Sequence, residues 1–136
     1  MRIVWRTLAA ILLLLLAVVA LQQIAAESGE VVVLTTRDAT GATHTTRLWI
    51  VEHQQRLYLR AGMPQSQWYQ RVLGEPAVSV EREGITTSYR AVPELTVVPQ
   101  INELMRAKYG WADAFIGYLF GRDASVPVRL EPAPGA

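Results

Sequence analysis

The sequence predicts a mainly β fold with helices, an antiparallel β-roll or barrel of six strands, carried behind one N-terminal transmembrane helix. Three observations lead there. Six β-like segments fall within about a hundred residues, the size of one domain, and most are joined by turns of hairpin length. No strand–helix–strand repeat occurs, which argues against a doubly wound sheet. An apolar, uncharged run opens the chain.

Thr7 to Ala26 is 20 residues without a charge, and Leu8 to Leu21 is continuously apolar. At about 1.5 Å per residue, such a helix spans roughly the 30 Å hydrocarbon layer. Arg2 and Arg6 precede it, and Glu27 and Glu30 follow it. The positive-inside bias therefore places the N-terminus in the cytoplasm and the domain outside, with Trp5 as an interfacial aromatic. A cleaved signal peptide with Val18-Val19-Ala20 as its small-residue site is the alternative. The expected organisation is an anchor or signal segment over residues 1–26, a barrel domain over 27–132 and a loose tail over 133–136.

Val31 to Thr36 is β-branched and apolar, a strand signal. Arg37 to Ala42 supplies turn residues. Thr43 to Glu52 alternates, with Thr45, Arg47, Trp49 and Val51 on one face and His44, Thr46, Leu48 and Ile50 on the other. After His53-Gln54-Gln55, Arg56 to Arg60 alternates again and completes a hairpin. Ala61 to Pro64 breaks the pattern, and Ser66 is placed to cap a short helix from Gln67 to Leu73, ended by Gly74 and Pro76. Ala77 to Glu83 and Ile85 to Val92 form a second hairpin around Gly84. Pro99 opens a helix with Ile101, Leu104 and Met105 on one face, which Tyr109-Gly110 breaks. Trp111 to Phe120 is a second helical piece with Phe115, Tyr118 and Leu119 on its apolar side. Val126 to Leu130 is the last strand.

Composition narrows the chemistry. The chain carries net charge +1, but without Arg2 and Arg6 the domain holds 11 basic and 12 acidic residues. No positive surplus remains to neutralise a phosphate backbone, so nucleic acid is not an expected partner. The absence of cysteine excludes disulfides, thiolate metal sites and thiol catalysis. His44 and His53 lack acidic neighbours at ligand spacing, so no metal site is expected. No G-x-S-x-G, H-E-x-x-H, G-x-G-x-x-G or Walker pattern occurs.

Three features stand above this background. Thr40 to Trp49 places many hydrogen-bonding side chains in a central strand, where hydroxyls and Arg47 could hold a phosphate or a planar heterocycle, or where threonine simply favours strands. Arg60 before Ala61-Gly62 is an Arg at a strand end beside permissive backbone, suited to an anion or to a plain surface turn. Trp68-Tyr69 could stack on an isoalloxazine-like ring or plug the open end of the barrel.

From Val31 to Pro132 these residues resemble the split β-barrel proteins that include pyridoxamine-phosphate-oxidase-like flavoproteins and the small deazaflavin-dependent nitroreductases. The resemblance rests on Leu34-Thr35-Thr36 before a Gly-containing turn, Leu48-Trp49-Ile50-Val51 and Trp68-Tyr69. It continues through Pro76, Val78-Ser79-Val80 and the closing Val126 to Pro132. It implies a six-stranded split barrel, often a homodimer, with FMN or a deazaflavin lying against the first strands. By position it implies cofactor-binding roles for Thr40, Gly41, His44, Thr46, Trp49 and Trp68. The sequence departs from the nitroreductases in three ways. Arg47 stands where they usually have Pro, the loop from Arg60 to Gln67 is shorter and without Lys, and Asp38-Ala39 replaces a basic pair.

Two functions follow. One is a membrane-anchored oxidoreductase in which Arg47 and Arg60 hold the cofactor phosphate, Trp49 and Trp68 flank the ring and Tyr69 stands nearby. It would reduce a lipophilic acceptor such as a quinone or nitro compound. The other is a tethered barrel that has lost its cofactor and serves as a ligand-binding or scaffolding module. The missing Lys and the extracytoplasmic placement favour the second. A reporter fused after Ala136 is expected to be active outside the cytoplasm; activity confined to the cytoplasm would reverse the orientation.

Overall fold

The computed structural model describes residues 1–26 and 29–134. The boundary expected at Glu27 and the end of the expected tail, residues 135–136, lie outside the described residues. The elements run α1 (Arg2–Ala26), β1 (Val31–Arg37), β2 (Thr43–His53), β3 (Arg56–Ala61), α2 (Gln67–Gly74), β4 (Ala77–Arg82) and β5 (Ile85–Pro93). A short 3-10 turn (Leu95–Val97), α3 (Val98–Tyr109), α4 (Trp111–Phe120) and β6 (Val126–Pro132) complete the chain. The strand segments read from alternation and turn residues match these elements, with ends shifted by up to two residues. α1 is long and apolar enough to cross a membrane.

The six strands close into a barrel in the order β1-β2-β3-β6-β5-β4, every pair antiparallel. Three hairpins, β1–β2, β2–β3 and β4–β5, follow from local turns. Closure does not, because β1 must find β4, with Leu34 opposite Val80, and β3 must find β6, with Leu59 opposite Val128.

Alternation then sorts side chains between two cores. Val32, Leu34, Ile50, Leu59, Val80, Val128 and Leu130 point inward and fill the barrel. α2 closes it by inserting Trp68, Tyr69 and Val72 into that same core. Ser66 occupies the N-cap position, but its hydroxyl donates to the Met63 carbonyl (2.8 Å) and caps no helical N–H. Outside the barrel, Val51 and Tyr58 meet Ile101, Met105 and Tyr109 of α3, with Trp49 and Leu104 at the margin. β2 and β3 are therefore covered on both faces, and an outward residue on them is not automatically a solvated one.

Tyr109 fixes α3 to the barrel. Its hydroxyl accepts from the Ile50 N–H (3.0 Å) and donates to the Glu30 carbonyl (2.6 Å), bridging β2 to the residue just before β1. The ring lies flat on Trp49, with centroids 4.3 Å apart and planes 8° from parallel. Gly29 lies against the other side of the Tyr109 ring at φ +73°, where a Cβ would come within 3.0 Å of it. Only glycine satisfies both the backbone angle and that approach. Around this joint the Glu30 carboxylate accepts from Arg82 (2.8 and 3.0 Å) and from Lys108 (2.6 Å). The Arg82 and Lys108 hydrogen bonds hold the Glu30 carboxyl down at about 2, against partial burial that pushes it up.

Two of these hairpins turn through left-handed residues, as two-residue type I′ loops require. In the β4–β5 hairpin these are Glu83 (φ 51°) and Gly84 (φ 80°); in the β2–β3 hairpin they are Gln54 (φ 51°) and Gln55 (φ 65°). A side chain in this region costs about 1–2 kcal/mol, so replacing Gln54-Gln55 by Asn-Gly is expected to stabilise the fold by about 1 kcal/mol. Urea unfolding of the full chain in detergent would show it as a higher midpoint at unchanged slope.

Candidate functional site

The second layer over β2 and β3 leaves one cleft whose lining is cationic and aromatic. Arg47, Leu48 and Trp49 of β2, Arg60 at the end of β3, and Gly62 form one wall; Met105 of α3, Ile116 of α4 and Arg122 form the other. Its volume is about 200 Å³.

Arg60 reaches the cleft because β3 alternation turns it outward, between Leu59 and Ala61, which face the barrel core. Packing of α3 and α4 then covers it, leaving its side chain 4% exposed. Beneath the helices its guanidinium donates to Asp113 Oδ1 (2.5 Å) and Asn102 Oδ1 (3.1 Å). Asp113 is the single charged residue in α4 and points inward, 5% exposed. Arg122 donates to the same Oδ1 at 2.8 Å. Ser125 donates to Asn102 Oδ1 (3.1 Å) and holds that amide in place.

The charge balance of this cluster is uneven. One buried carboxylate serves two guanidinium groups, a net charge of +1 where water is scarce. Burial pushes Arg60 below the ordinary arginine range while Asp113 pulls it back. Arg122 is pushed down by burial and by repulsion from Arg60. Both remain cations, since arginine does not release its proton in proteins. Arg122 Nε is buried against Gly117 of α4 and has no hydrogen-bond acceptor among the described residues, an expensive condition.

The residues expected from sequence to bind a cofactor fall into three places. Arg47, Trp49 and Arg60 come together on this cleft. Trp68 and Tyr69 do not. They lie in the barrel core, 6% and 9% exposed, edge to face at 6.3 Å, which is the plug of the two roles open to them. The adjacency that made them look like a stacking pair arises because Trp68, Tyr69 and Val72, at i, i+1 and i+4, share the one face that this amphipathic helix buries.

Thr40 and Gly41 lie in the β1–β2 turn and His44 at the start of β2, all three organised by Asp38. Asp38 Oδ1 accepts from the Thr40 N–H (2.9 Å), the Thr40 hydroxyl (2.5 Å) and the Ala42 N–H (3.1 Å), while Oδ2 meets His44 Nε2 at 2.7 Å. The Thr40 hydroxyl first, then His44, hold the Asp38 carboxyl well below the usual carboxylate range. Gly41 donates its N–H to the Asp38 carbonyl (3.0 Å). Thr46 is half-buried opposite Leu34 in the ladder. A larger hollow of about 440 Å³ lies between this turn and α2. Its lining balances Arg37 and Arg71 against Asp38 and Glu75 and contains no aromatic residue, so it has no preference for a charged or flat guest.

Asn102, Asp113 and Arg122 were not among the residues singled out from sequence. One signal was available: a lone Asp in the otherwise apolar run Trp111 to Phe120 asks for a buried cation. Among the described residues, no group of His, Cys, Asp or Glu gathers as a metal site.

A closed six-stranded antiparallel barrel, capped by one helix and overlaid on its β2–β3 face by two more, defines a split β-barrel protein. The chain belongs to DUF2255, the family described as "Uncharacterized protein conserved in bacteria", whose pattern matches residues 20–126. No curated protein matches the sequence significantly. Solved structures share the fold at low identity. One is the heme storage protein HutZ from Vibrio cholerae, with TM-score 0.60 and 18% identity over 83% of this chain and 87% of that one. Another is the F420-H2 dependent reductase FDR-A, with TM-score 0.58 and 22% identity over 74% and 93%. A third is Atu2129 from Agrobacterium tumefaciens str. C58, with TM-score 0.62 and 18% identity over 79% of this chain; the chain spans about half the length of that protein.

Removing one member of a buried ion pair strands the other, at about 3–5 kcal/mol. Asp113→Ala is therefore expected to lower stability by about that amount in denaturant unfolding. Arg60→Met and Arg122→Met combined with Asp113→Leu should recover a large part of the loss, because the apolar set leaves no buried charge of this cluster unpaired.

Proposed function

We propose that this chain is a membrane-anchored split-barrel protein, residues 1–26 tethering a barrel over 27–132, whose cleft takes the phosphate end of FMN or a deazaflavin. The observation that carries this reading is the cationic cleft itself: among the described residues Arg60 and Arg122 share one carboxylate, two guanidinium groups to a single buried anion. A dianionic phosphate matches both the surplus charge and the planar donors of guanidinium. Likeness to an F420-H2 dependent reductase agrees in fold.

The fit is to the anionic end. At about 200 Å³ the cleft is smaller than the 300–1,000 Å³ typical of a whole-ligand pocket. Trp49 offers an aromatic edge at the rim, with one ring face already occupied by Tyr109. When bound, the cofactor would supply the redox chemistry, passing reducing equivalents to a lipophilic acceptor such as a quinone or nitro compound. Arg60 would be held in place by Asp113 and Asn102, Arg122 would complete the phosphate grip, and Met105 and Ile116 would limit water.

A second reading, a tethered barrel that binds an anionic ligand without redox chemistry, draws on one specific observation. Trp68 and Tyr69, the aromatic pair that would flank a ring, are consumed by the barrel core. The full chain purified in detergent separates the two. Its visible absorbance is recorded, then FMN and a deazaflavin are titrated by fluorescence. Binding that Arg122→Met weakens by about ten- to a hundredfold, the worth of one charged hydrogen bond, supports the cofactor reading. Colourless protein that binds neither overturns it in favour of the second.

A further inference from the structure

Helix α4 shows the outside a face that no water-exposed helix of a small barrel needs. Trp111 is 54% exposed, Tyr118 89% and Phe120 57%, with Leu119 beside them. The helix has one charged residue, and that one is turned inward to Arg60 and Arg122. Its outer surface therefore carries no charge at all, the reverse of the usual amphipathic arrangement. Of the apolar side expected from sequence, Tyr118 and Leu119 are exposed and Phe115 is half-buried. The reason is electrostatic: burying Asp113 against two guanidinium groups fixes the rotation of the helix and sends Trp111 and Tyr118 outward, while Phe120, on the Asp113 stripe, is exposed as the last residue of the helix.

The element that packs on α1 is α4. Along α1 the exposure falls in one stripe, Val18 at 36%, Leu21 at 41% and Ala25 at 0%, while Leu13 and Leu14 keep 67% and 65%. The spacing of three and four residues marks one helical face, so α4 lies beside the last two turns of α1. From Val18 to Ala25 is about 10 Å of helix. If the 20 uncharged residues ending at Ala26 fill the hydrocarbon layer, those 10 Å are its outer edge. Whatever touches them shares that depth.

We infer that α4 is an interfacial helix, lying in the outer headgroup–acyl boundary beside the anchor with Trp111, Tyr118 and Phe120 in the bilayer. The inference rests on reading α1 as a membrane anchor. Tryptophan and tyrosine are the residues that favour this boundary, one end apolar and the other wet. Continuity with α1 selects lipid over a second copy of the chain, because the bilayer that receives the anchor already reaches the α4 surface. The barrel is thereby held at two points, and the cleft, lined in part by Ile116 of α4 and by Arg122, lies close to the second of them.

The chain has no cysteine, so single-cysteine variants of the full chain can carry an environment-sensitive fluorophore. Four positions suffice: Leu13→Cys in α1, Tyr118→Cys and Phe120→Cys in α4, and Ala39→Cys in the β1–β2 turn. In vesicles of phosphatidylcholine with a minor fraction of phosphatidylglycerol, spin-labelled lipid is expected to quench positions 118 and 120 several-fold more than position 39. Aqueous iodide should show the opposite order. Iodide-accessible labels at 118 and 120, with position 13 quenched by lipid, overturn the inference and leave the anchor standing. Failure of lipid to quench position 13 removes the anchor and the inference with it. Labels at 118 and 120 shielded from both quenchers identify a homodimer contact and overturn the inference as well.

Discussion

One hydroxyl group sets the arrangement of everything outside the barrel. Tyr109 completes the β1–β2 ladder where β1 has not yet begun, accepting from Ile50 and donating to the Glu30 carbonyl. A backbone N–H and C=O that would otherwise need water are satisfied by a side chain from α3. Because the same ring stacks on Trp49 and leaves room only for glycine at position 29, the end of α3 has one position available. Gly110 follows at once with φ +55°, and α4 starts from that fixed point.

The consequence is electrostatic. With α3 and α4 held against β2 and β3, an arginine that alternation points outward is taken out of water. A buried guanidinium needs a carboxylate, and Asp113 is delivered by the helix that Tyr109 positions. The carboxylate is then shared with Arg122, and the cluster keeps one uncompensated positive charge. Met105 and Ile116 line the cleft beside these cations with apolar surface, where a charge interaction is stronger than in water.

The exposed aromatic surface of α4 follows from the same rotation. α4 cannot bury its only charge and its aromatics on one side, since Asp113 must reach Arg60. Trp111 and Tyr118 are left on the outer side of α4, largely exposed. Barrel, cleft and anchor are thus linked through two side chains, Tyr109 and Asp113. Neither belongs to the six strands that define the fold.

The strands were legible in the sequence because period-2 alternation and turn residues are local properties, readable within a window of ten residues. The N-terminal apolar helix was legible for the same reason: length without charge is counted along the chain. Of the candidate site, Arg47, Trp49 and Arg60 could be singled out as strand residues of suggestive chemistry. The paired aromatics Trp68 and Tyr69 misled, because whether an aromatic stacks on a guest or fills a core depends on what lies across from it. Closure of β1 on β4, insertion of Tyr109 into a ladder, and the meeting of Arg60 with Asp113 across 53 positions were decided only in three dimensions. Each is a contact between segments whose separation along the chain carries no pattern, and its energy comes from burial that does not exist until the whole barrel has formed.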